Sequence, residues 1–299
     1  MSKIYIPLPS KKNIDLYMQQ GFDGFIIGIK GFSSKFNYLV DIEELQDILF
    51  KLRDYNKDIY IALNRLYYND EIDKVRELVE YLSKLDITGI GYTDNGLLNI
   101  LNECNFNKEI MWLSNHLGTN SMTINFLSKR KVSKALLSTE ISIKEIIDIK
   151  KNSKIPVGVE LYGFLNMATS SRKLLSNYFD YINKEKNKNI YSMSNKNKDG
   201  KYQVVEDFNT NFFSDKVLNG IIFYPELIRN NIDFIFLDNY LIDEINFYNV
   251  IEAFSSLRNA YNDEEFVSKL EKVVESNTFN DTFYGFLNKE TVVKVKDYE

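Results

Sequence analysis

A chain of 299 residues with 44% hydrophobic content is long enough to bury one ordinary core, and its net charge of −5 argues against broad, non-specific capture of nucleic acid. The single cysteine, Cys104, and the single histidine, His116, exclude a disulfide framework and any metal centre built from several thiolates or several imidazoles. No apolar run approaches the ~20 residues that span a bilayer, and the N-terminus lacks a secretory pattern, so we expect no membrane association and a cytoplasmic location.

Short β-branched runs alternate with amphipathic segments along most of the chain, a pattern typical of parallel strands covered by helices. The predicted strands are, in chain order, Lys3–Pro7, Gly24–Ile29, Asp58–Leu63, Gly89–Thr93, Glu109–Ser114, Lys134–Ser138, Val157–Leu161 and Asp233–Leu237. The sequence therefore predicts an α/β fold, an eight-unit β/α barrel of the TIM type, in a single domain over residues 1–260.

Helices are predicted between these strands. Apolar residues recur at spacings of three and four within residues 41–55 and 72–82, which places them on one helical face. Two helix starts carry a small polar residue followed by Glu three positions later, at Asp41–Glu44 and Ser142–Glu145, where the two side chains can satisfy exposed backbone amides.

A long insertion, residues 162–220, interrupts this rhythm between the seventh and eighth strands, and connections of that length are usually functional or disordered. Within it, Arg172–Asn183 is predicted to be helical, whereas Asn183–Gly200 is rich in Lys, Asn and Ser and is expected to be mobile. Residues 261–299 are predicted to form a C-terminal helical extension followed by a polar tail.

Five segments, read in order, resemble the collagenase-like peptidase family U32. They are Gly21–Ser33, similar to the family's GADAVYVGGKGFS; Ile59–Asn64, similar to VYVAVN; Leu136–Ile146, similar to VLSRELSLEEI; Tyr162–Ser176, similar to HGALCVSYSGRCLLS; and Pro225–Asp233, similar to PELIEAGVD. The resemblance implies a barrel with an inserted cysteine-bearing region. It also implies relatives that hydroxylate RNA bases or ubiquinone precursors, besides an older label of peptidase or collagenase.

The departures from the family are as informative as the matches. Members of the family hold an iron–sulfur cluster with four cysteines. The first two of these positions correspond here to Asn166 and Lys173, and the later pair falls near Tyr191 and Asn195. Because an amide, an ammonium and a phenol cannot replace thiolates, we expect no cluster and no other cofactor. The family's KIEGR has also become Phe236–Tyr240, which removes a Lys and an Arg from the barrel mouth.

Candidate site residues are the polar side chains at the C-terminal ends of the predicted strands, where active sites of such barrels lie. The candidate ligand-binding residues are Lys30, Asp94, Asn115, Tyr162 and Asp238, together with Arg172 from the family-like insertion motif. The Arg172 guanidinium suits a carboxylate or phosphate ligand, or an internal salt bridge that pins the insertion. The candidate catalytic residues are Asn64, His116, Glu140 and Glu160; no residue is a candidate metal ligand.

Each catalytic candidate also has a structural interpretation. Glu140 and Glu160 follow or end adjacent strands, so they could form a carboxylate pair with a raised pKa that acts as general acid or base. Alternatively, Glu140 caps a helix and Glu160 pairs with a cation in the barrel mouth. His116 is either a catalytic base or a hydrogen-bonding loop residue. No nucleophile motif and no paired-histidine helix accompany them, which argues against serine, cysteine and zinc proteolysis.

A basic island lies in the insertion of this otherwise acidic chain. Its lysines are Lys184, Lys186, Lys188, Lys196, Lys198 and Lys201, with Tyr181, Tyr191 and Tyr202 nearby. Lysines can bind phosphates and tyrosines can stack on bases, but a solvated loop explains the same residues. The sequence favours the solvated loop.

Two functions remain open on the sequence. The first is a divergent paralogue without the cluster, a non-redox companion or binding subunit of a cluster-bearing relative that acts in RNA or small-molecule modification, with an RNA or peptide ligand. The second is a metal-independent enzyme, such as a hydrolase, that uses the strand-end carboxylates. Loss of both the cysteines and the basic KIEGR residues favours the first.

Overall fold

The computed structural model describes residues 1–114, 116–195 and 198–289. The strands are β1 (Lys3–Pro7), β2 (Gly24–Ile29), β3 (Leu39–Val40), β4 (Asp58–Leu63), β5 (Gly89–Tyr92), β6 (Glu109–Trp112), β7 (Lys134–Leu136), β8 (Val157–Ser170), β9 (Ile190–Asn195), β10 (Lys198–Glu206), β11 (Thr210–Asn219), β12 (Phe234–Leu237) and β13 (Thr282–Phe283). The α-helices are α1 (Ile14–Tyr17), α2 (Leu45–Leu52), α3 (Ile72–Ser83), α4 (Asn95–Glu103), α5 (Ser121–Ser128), α6 (Ile143–Asn152), α7 (Leu174–Tyr181), α8 (Tyr224–Arg229), α9 (Glu244–Ala260) and α10 (Glu264–Ser276).

Eight parallel strands close into a barrel in the order β12-β1-β2-β4-β5-β6-β7-β8, and β12 also pairs with β8. The predicted eight-unit β/α barrel, with its long insertion before the last barrel strand, is confirmed. The predicted capping box at Ser142 and Glu145 is present at the start of α6, whereas Asp41 makes no side-chain cap. No helix among the described residues has the length and apolarity required to cross a bilayer.

Two layers of side chains fill the fold because successive residues of a strand point to opposite faces. Inside the barrel lie large side chains such as Tyr5, Ile26, Tyr60, Met111 and Phe234. Their neighbours along the strands pack outward against the helices, as Ile4, Ile27, Ile61, Val159 and Ile235 do. Burial on both faces explains why the strand segments are almost continuously apolar.

A polar network closes the N-terminal end of the barrel. The Lys134 ammonium lies 2.9 Å from a Glu109 carboxylate oxygen and donates to the Tyr60 hydroxyl, while the Tyr5 hydroxyl donates to Asp58 over 2.7 Å. Desolvation, together with the neighbouring carboxylates, raises the pKa of both tyrosines, so their hydroxyls stay protonated donors. Because it lies at the bottom of the barrel, we assign this network to stability rather than to function.

The insertion extends the barrel sheet instead of forming a loop. Strand β8 continues past the barrel and pairs antiparallel with β11, which pairs with β10 and then with β9. The predicted helix within Arg172–Asn183 is present as α7. The expectation of a mobile segment over Asn183–Gly200 requires correction, because residues 190–195 form β9 and bond to β10; Lys196 and Asn197 lie outside the described residues.

The segment after the last barrel helix packs back onto the insertion. Helix α10 lies against α9, and β13 pairs in parallel with β11 through Val217 and Thr282. The side chain of Leu287 is buried, and its carbonyl accepts a hydrogen bond from the Ile143 amide at the start of α6. Residues 290–299, the end of the predicted polar tail, lie outside the described residues.

Candidate functional site

The C-terminal ends of the barrel strands open into a cleft with an outer part of about 420 Å³ and an inner cavity of about 40 Å³. Both parts are lined by Lys35, Asn64, Leu113 and Asn166, so the inner cavity adjoins the outer part. The outer part has the size of a small-molecule site. The cleft therefore lies where the sequence predicts the functional end of the barrel.

Three ionisable side chains interact at the inner end of this cleft: Lys35 and Asp238 line the inner cavity, and Glu160 lies near enough for their charges to act on it. Glu160 is 3% exposed, and it points into the barrel because its neighbours Val159 and Leu161 pack outward. Asp238 follows β12 and lines the inner cavity together with Lys35, which comes from the loop between β2 and β3. We call Lys35, Glu160 and Asp238 the mouth trio.

Burial dominates the electrostatics of the mouth trio. Desolvation, assisted by the charge of Asp238, raises the pKa of Glu160 well above its ordinary value. Desolvation also raises the pKa of Asp238 to about 6, although the Tyr240 backbone amide and Lys35 oppose the shift. The pKa of Lys35 is lowered by burial, against the attraction of the two carboxyls. Burial thus favours the neutral forms of all three groups, while their mutual attraction favours the charged forms, and such a set is able to donate and accept protons.

The loop that carries Lys35 is held in a strained conformation. Lys35 has a φ of +64°, a left-handed backbone that costs a non-glycine residue about 1 kcal/mol. Asn64, at the end of β4, stabilises this loop with two side-chain hydrogen bonds. Its Oδ1 accepts from the Ser34 backbone amide at 2.9 Å, and its Nδ2 donates to the Ser34 backbone carbonyl at 3.1 Å. Ser33 adds a bond from its hydroxyl to the Ala62 carbonyl. Asn64 therefore positions the lysine loop as well as lining the cleft.

A close approach of two strands completes the inner wall. Gly163 has a φ of +134°, and a β-carbon at this position would come within 2.8 Å of the Asp238 side chain. The register between β8 and β12 also shifts after Phe236, which pairs with Glu160, so that Leu237 pairs with Tyr162. A glycine at 163 lets β8 leave the barrel while passing directly beside Asp238.

The remaining candidates at the mouth lie on its rim. His116 lines the outer cleft, and its Nδ1 lies 3.9 Å from a Glu140 carboxylate oxygen, with both side chains partly exposed. Glu140 does not cap α6, because Ser142 and Glu145 perform that role. Asn115 lies outside the described residues.

Four other candidates do not line the described cleft. Lys30 forms a surface ion pair of 3.0 Å with Asp41, and Asp94 caps α4 by accepting from the Gly96 amide at 2.7 Å. The Tyr162 hydroxyl lies 3.0 Å from the Thr278 hydroxyl, so this side chain points toward the C-terminal segment rather than into the cleft.

Arg172 is the fourth of these candidates. It is exposed, and it lies on the insertion just before α7.

The positions that the resemblance assigns to cluster ligands carry other chemistry. Asn166 donates weakly to the carbonyls of Ala168 and Phe212, at 3.3 and 3.4 Å, and Lys173 donates to the Asp207 carbonyl. Tyr191 donates to the Asn187 side chain at 3.0 Å. Cys104 lies at the end of α4, where the chain returns to the N-terminal end of the barrel. These oxygen and nitrogen groups do not fit an iron–sulfur cluster, which is held by thiolates.

A buried carboxylate holds the insertion together instead. Glu206, 2% exposed, accepts from the Leu175 amide at 2.7 Å, from the Ser176 amide and hydroxyl, and from the Lys186 ammonium at 2.7 Å. Burial opposes ionisation, but these donors outweigh it and lower the pKa of Glu206 to about 2. Glu206 thereby joins β10 to the start of α7 and to the lysine segment that follows it.

Sequence reasoning missed two residues of this region. Lys35 lies two positions after the family-like segment that ends at Ser33, and the exposed character of most lysines hides a buried one. Glu206 lies between Lys-rich and apolar residues with no motif around it. A buried lysine can be recognised only once its neighbours from β8 and β12 are in place.

A β/α barrel with a cleft at the C-terminal ends of its strands defines the structural class of this protein. Residues 10–294 match the family model of peptidase family U32, and the chain therefore belongs to that family, as the sequence resemblance indicates.

Relatives of known or inferred role share much of this chain. It is 25% identical over 291 residues to the tRNA hydroxylation protein P2 of Bacillus subtilis (strain 168), covering 92% of this chain and 94% of that protein. It is 21% identical over 177 residues to the tRNA hydroxylation protein P1 of the same organism, covering 59% and 42%. An uncharacterized protease of Methanocaldococcus jannaschii is 27% identical over 223 residues, covering 70% and 53%.

Solved structures share the fold. A U32 peptidase superposes with a TM-score of 0.54 at 12% identity, covering 80% of this chain and 92% of its own. A monomeric dihydrodipicolinate synthase variant superposes with a TM-score of 0.52 at 9% identity, covering 92% and 79%. At these identities the likeness concerns the barrel alone.

Proposed function

We propose that this protein is a non-redox subunit of a tRNA hydroxylation system and acts in the cytoplasm beside a cluster-bearing paralogue of the same family. The observation that carries the proposal is the state of the ligand positions: Asn166, Lys173 and Tyr191 are engaged in hydrogen bonds within the insertion, while the barrel and its cleft are intact. A subunit of this kind contributes recognition and leaves the redox step to its partner.

The pattern among the relatives supports this division of labour. The chain matches the P2 protein over nearly the whole of both chains, whereas its match to the P1 protein covers less than half of the latter. Two related proteins of one organism thus both bear the name of tRNA hydroxylation. A pair of paralogues with the same named role is consistent with a companion and a cluster-bearing subunit.

Deletion of the gene for this protein in its native host should abolish hydroxylation of tRNA, and expression of the intact chain should restore it. The measurement is mass spectrometry of nucleosides from digested tRNA. The control is a deletion strain that carries the empty vector. Unchanged hydroxylation in the deletion strain would show that the protein has no part in this reaction. Stoichiometric iron and sulfide in the chain purified alone under anaerobic conditions would contradict its non-redox role.

A second candidate function is acid–base catalysis at the mouth by this chain itself. The observation that favours it is the pair of carboxyls with raised pKa values, the buried Glu160 and the half-buried Asp238, beside a cleft of small-molecule size. Glu160→Gln separates the two roles. Loss of tRNA hydroxylation with the paralogue still bound supports chemistry at the mouth, whereas hydroxylation at the wild-type level supports the companion role alone.

A further inference from the structure

The charge of the insertion is opposite to that of the rest of the molecule. Residues 172–206 hold eight basic and four acidic residues, a net charge of +4 within a protein whose total charge is −5. One of the four acids, Glu206, is buried and neutralised by Lys186. Because this pair cancels, the remaining residues of the insertion still carry the whole net charge of +4.

Two tyrosines stand exposed on the helix of this insertion. Tyr181 is 85% exposed and Tyr178 is 56% exposed, and their spacing of three residues places them on neighbouring positions of one face of α7. In contrast, the rings of Phe179 and Tyr191 pack against each other with their centroids 4.9 Å apart, and this contact holds α7 against β9. The exposed rings are thus presented to solvent by a helix that is anchored through its other side.

Basic residues flank the two exposed tyrosines along the chain. Lys186 and Lys173 are engaged inside the insertion, with Glu206 and with the Asp207 carbonyl. Arg172, before α7, and Lys184 and Lys188, after it, are exposed. The side chains of Lys196 and Lys198 lie outside what the structure describes.

The insertion adjoins the barrel mouth. Asn209, in the turn between β10 and β11, lines the outer cleft, and Asp207 is near enough to act electrostatically on Lys35. Met167 and Thr169, on the part of β8 that leads into the insertion, also line the cleft. A nucleic-acid strand bound along the insertion would therefore lie close to the cleft.

We infer that the face formed by Arg172, Tyr178, Tyr181, Lys184 and Lys188, here called the α7 face, binds unpaired nucleotides of tRNA. Exposed aromatic rings stack on bases of any sequence, and flanking cations contact the phosphates; this combination is characteristic of single-stranded nucleic acid sites. An acidic peptide would use the cations but would leave the two rings without a partner. The inference deepens the proposed function, on which it rests, by assigning the tRNA contact to a particular surface.

The test is fluorescence anisotropy of a labelled tRNA transcript titrated with the purified full-length chain. Tyr181→Ala should weaken binding by about 5- to 100-fold, the range expected from the loss of one stacked base. The double variant Lys184→Glu and Lys188→Glu should weaken binding at least as much and should flatten its dependence on salt. Circular dichroism should show that each variant is folded.

Matched controls lie at the opposite end of the barrel. Tyr55, 42% exposed after α2, and Lys151, exposed near the end of α6, serve as Tyr55→Ala and Lys151→Glu, and both should bind tRNA as the wild type does. Wild-type affinity in the Tyr181 and lysine variants would overturn the inference. So would the absence of binding up to about 50 µM, or competition by polyglutamate as effective as that by RNA.

Failure of this inference is distinguishable from failure of the proposed function. If the deletion strain loses tRNA hydroxylation but the α7-face variants bind tRNA normally, only the assignment of tRNA binding to the α7 face is wrong. If the α7 face binds tRNA but the deletion strain hydroxylates normally, the surface stands and the proposed reaction does not.

Discussion

If the second candidate function holds and the mouth carries acid–base chemistry, Lys35→Met should abolish the contribution of this protein to tRNA hydroxylation while leaving its fold intact, whereas a companion that only recognises tRNA should be unaffected. The methionine side chain preserves the volume and apolar stem of the lysine but removes the amine that acts on Asp238 and Glu160 at the inner end of the cleft. Loss of one preorganised hydrogen-bond donor at a functional site typically costs about 10²- to 10³-fold in activity. The measurement is the hydroxylated fraction of tRNA in the deletion strain that expresses each variant, together with thermal unfolding of the purified protein.

Lys30→Met is the matched control for this prediction. Lys30 belongs to the same connection after β2 and was a candidate ligand residue, yet it forms an exposed ion pair with Asp41 and does not line the cleft. It should therefore restore hydroxylation fully. Full restoration by Lys35→Met as well would show that the mouth trio has no role in the reaction. Unfolding of Lys35→Met would instead assign Lys35 a structural role.

Glu206→Gln should lower the free energy of unfolding of the insertion by about 2–3 kcal/mol at pH 7. The pKa of Glu206 is lowered to about 2 by its donors, so the ionised carboxylate is bound more strongly in the folded state than in the unfolded chain. A glutamine keeps the shape but cannot accept from the Leu175 amide, the Ser176 amide and hydroxyl, and the Lys186 ammonium with the same strength. Urea unfolding and limited proteolysis between residues 172 and 206 measure the loss.

The dependence on pH tests the same contact independently. Because the folded pKa lies below the ordinary value for glutamate, the stabilisation is fully present above about pH 4.5 and disappears as the pH falls toward 2. The difference between wild type and Glu206→Gln should therefore shrink between those values. Glu185→Gln, on the exposed segment after α7, should match the wild type throughout. A difference that stays constant from pH 7 to pH 2 would exclude ionisation of Glu206 as its cause.

The two predictions concern different parts of one functional unit. Lys35 tests the cleft, whereas Glu206 tests the support of α7, on which Tyr178 and Tyr181 are presented. If the α7 face binds tRNA, Glu206→Gln should weaken that binding as well, because the helix loses its attachment to β10. Lys35→Met should leave binding at the α7 face unchanged.

Most strands of the barrel were predictable from the local pattern of apolar and polar residues. The bounds of β1, β2 and β4 agree with the predicted segments residue for residue, because continuous apolar runs bounded by polar residues leave little choice of strand. The C-terminal bound of the strand that begins at Val157 was not predicted correctly: the sequence pattern ends it at Leu161. Strand β8 continues to Ser170 because it finds an antiparallel partner in β11, and a partner of that kind is invisible to local periodicity.

The candidate site was predictable only in part. Strand-end position selected Asn64, Glu160 and Asp238, and the fold brings these three residues to the mouth or its inner wall. The same rule also selected Tyr162, which points elsewhere because the register between β8 and β12 shifts beside it. A shift of one residue in a strand reverses the face of a side chain, and this shift depends on the pairing of two distant segments.

The amino-acid sequence by itself determined the family, the barrel and the chemistry of the positions that the resemblance assigns to cluster ligands, because these follow from residue identity and from periodicity along the chain. Only the tertiary structure decided which ionisable side chains are desolvated. Lys35, Glu160 and Asp238 come from three separate strands or loops, and Glu206 meets donors up to about thirty residues away. Desolvation and electrostatic coupling depend on distance in space, so these properties arise only when the closed barrel and its insertion bring the groups together.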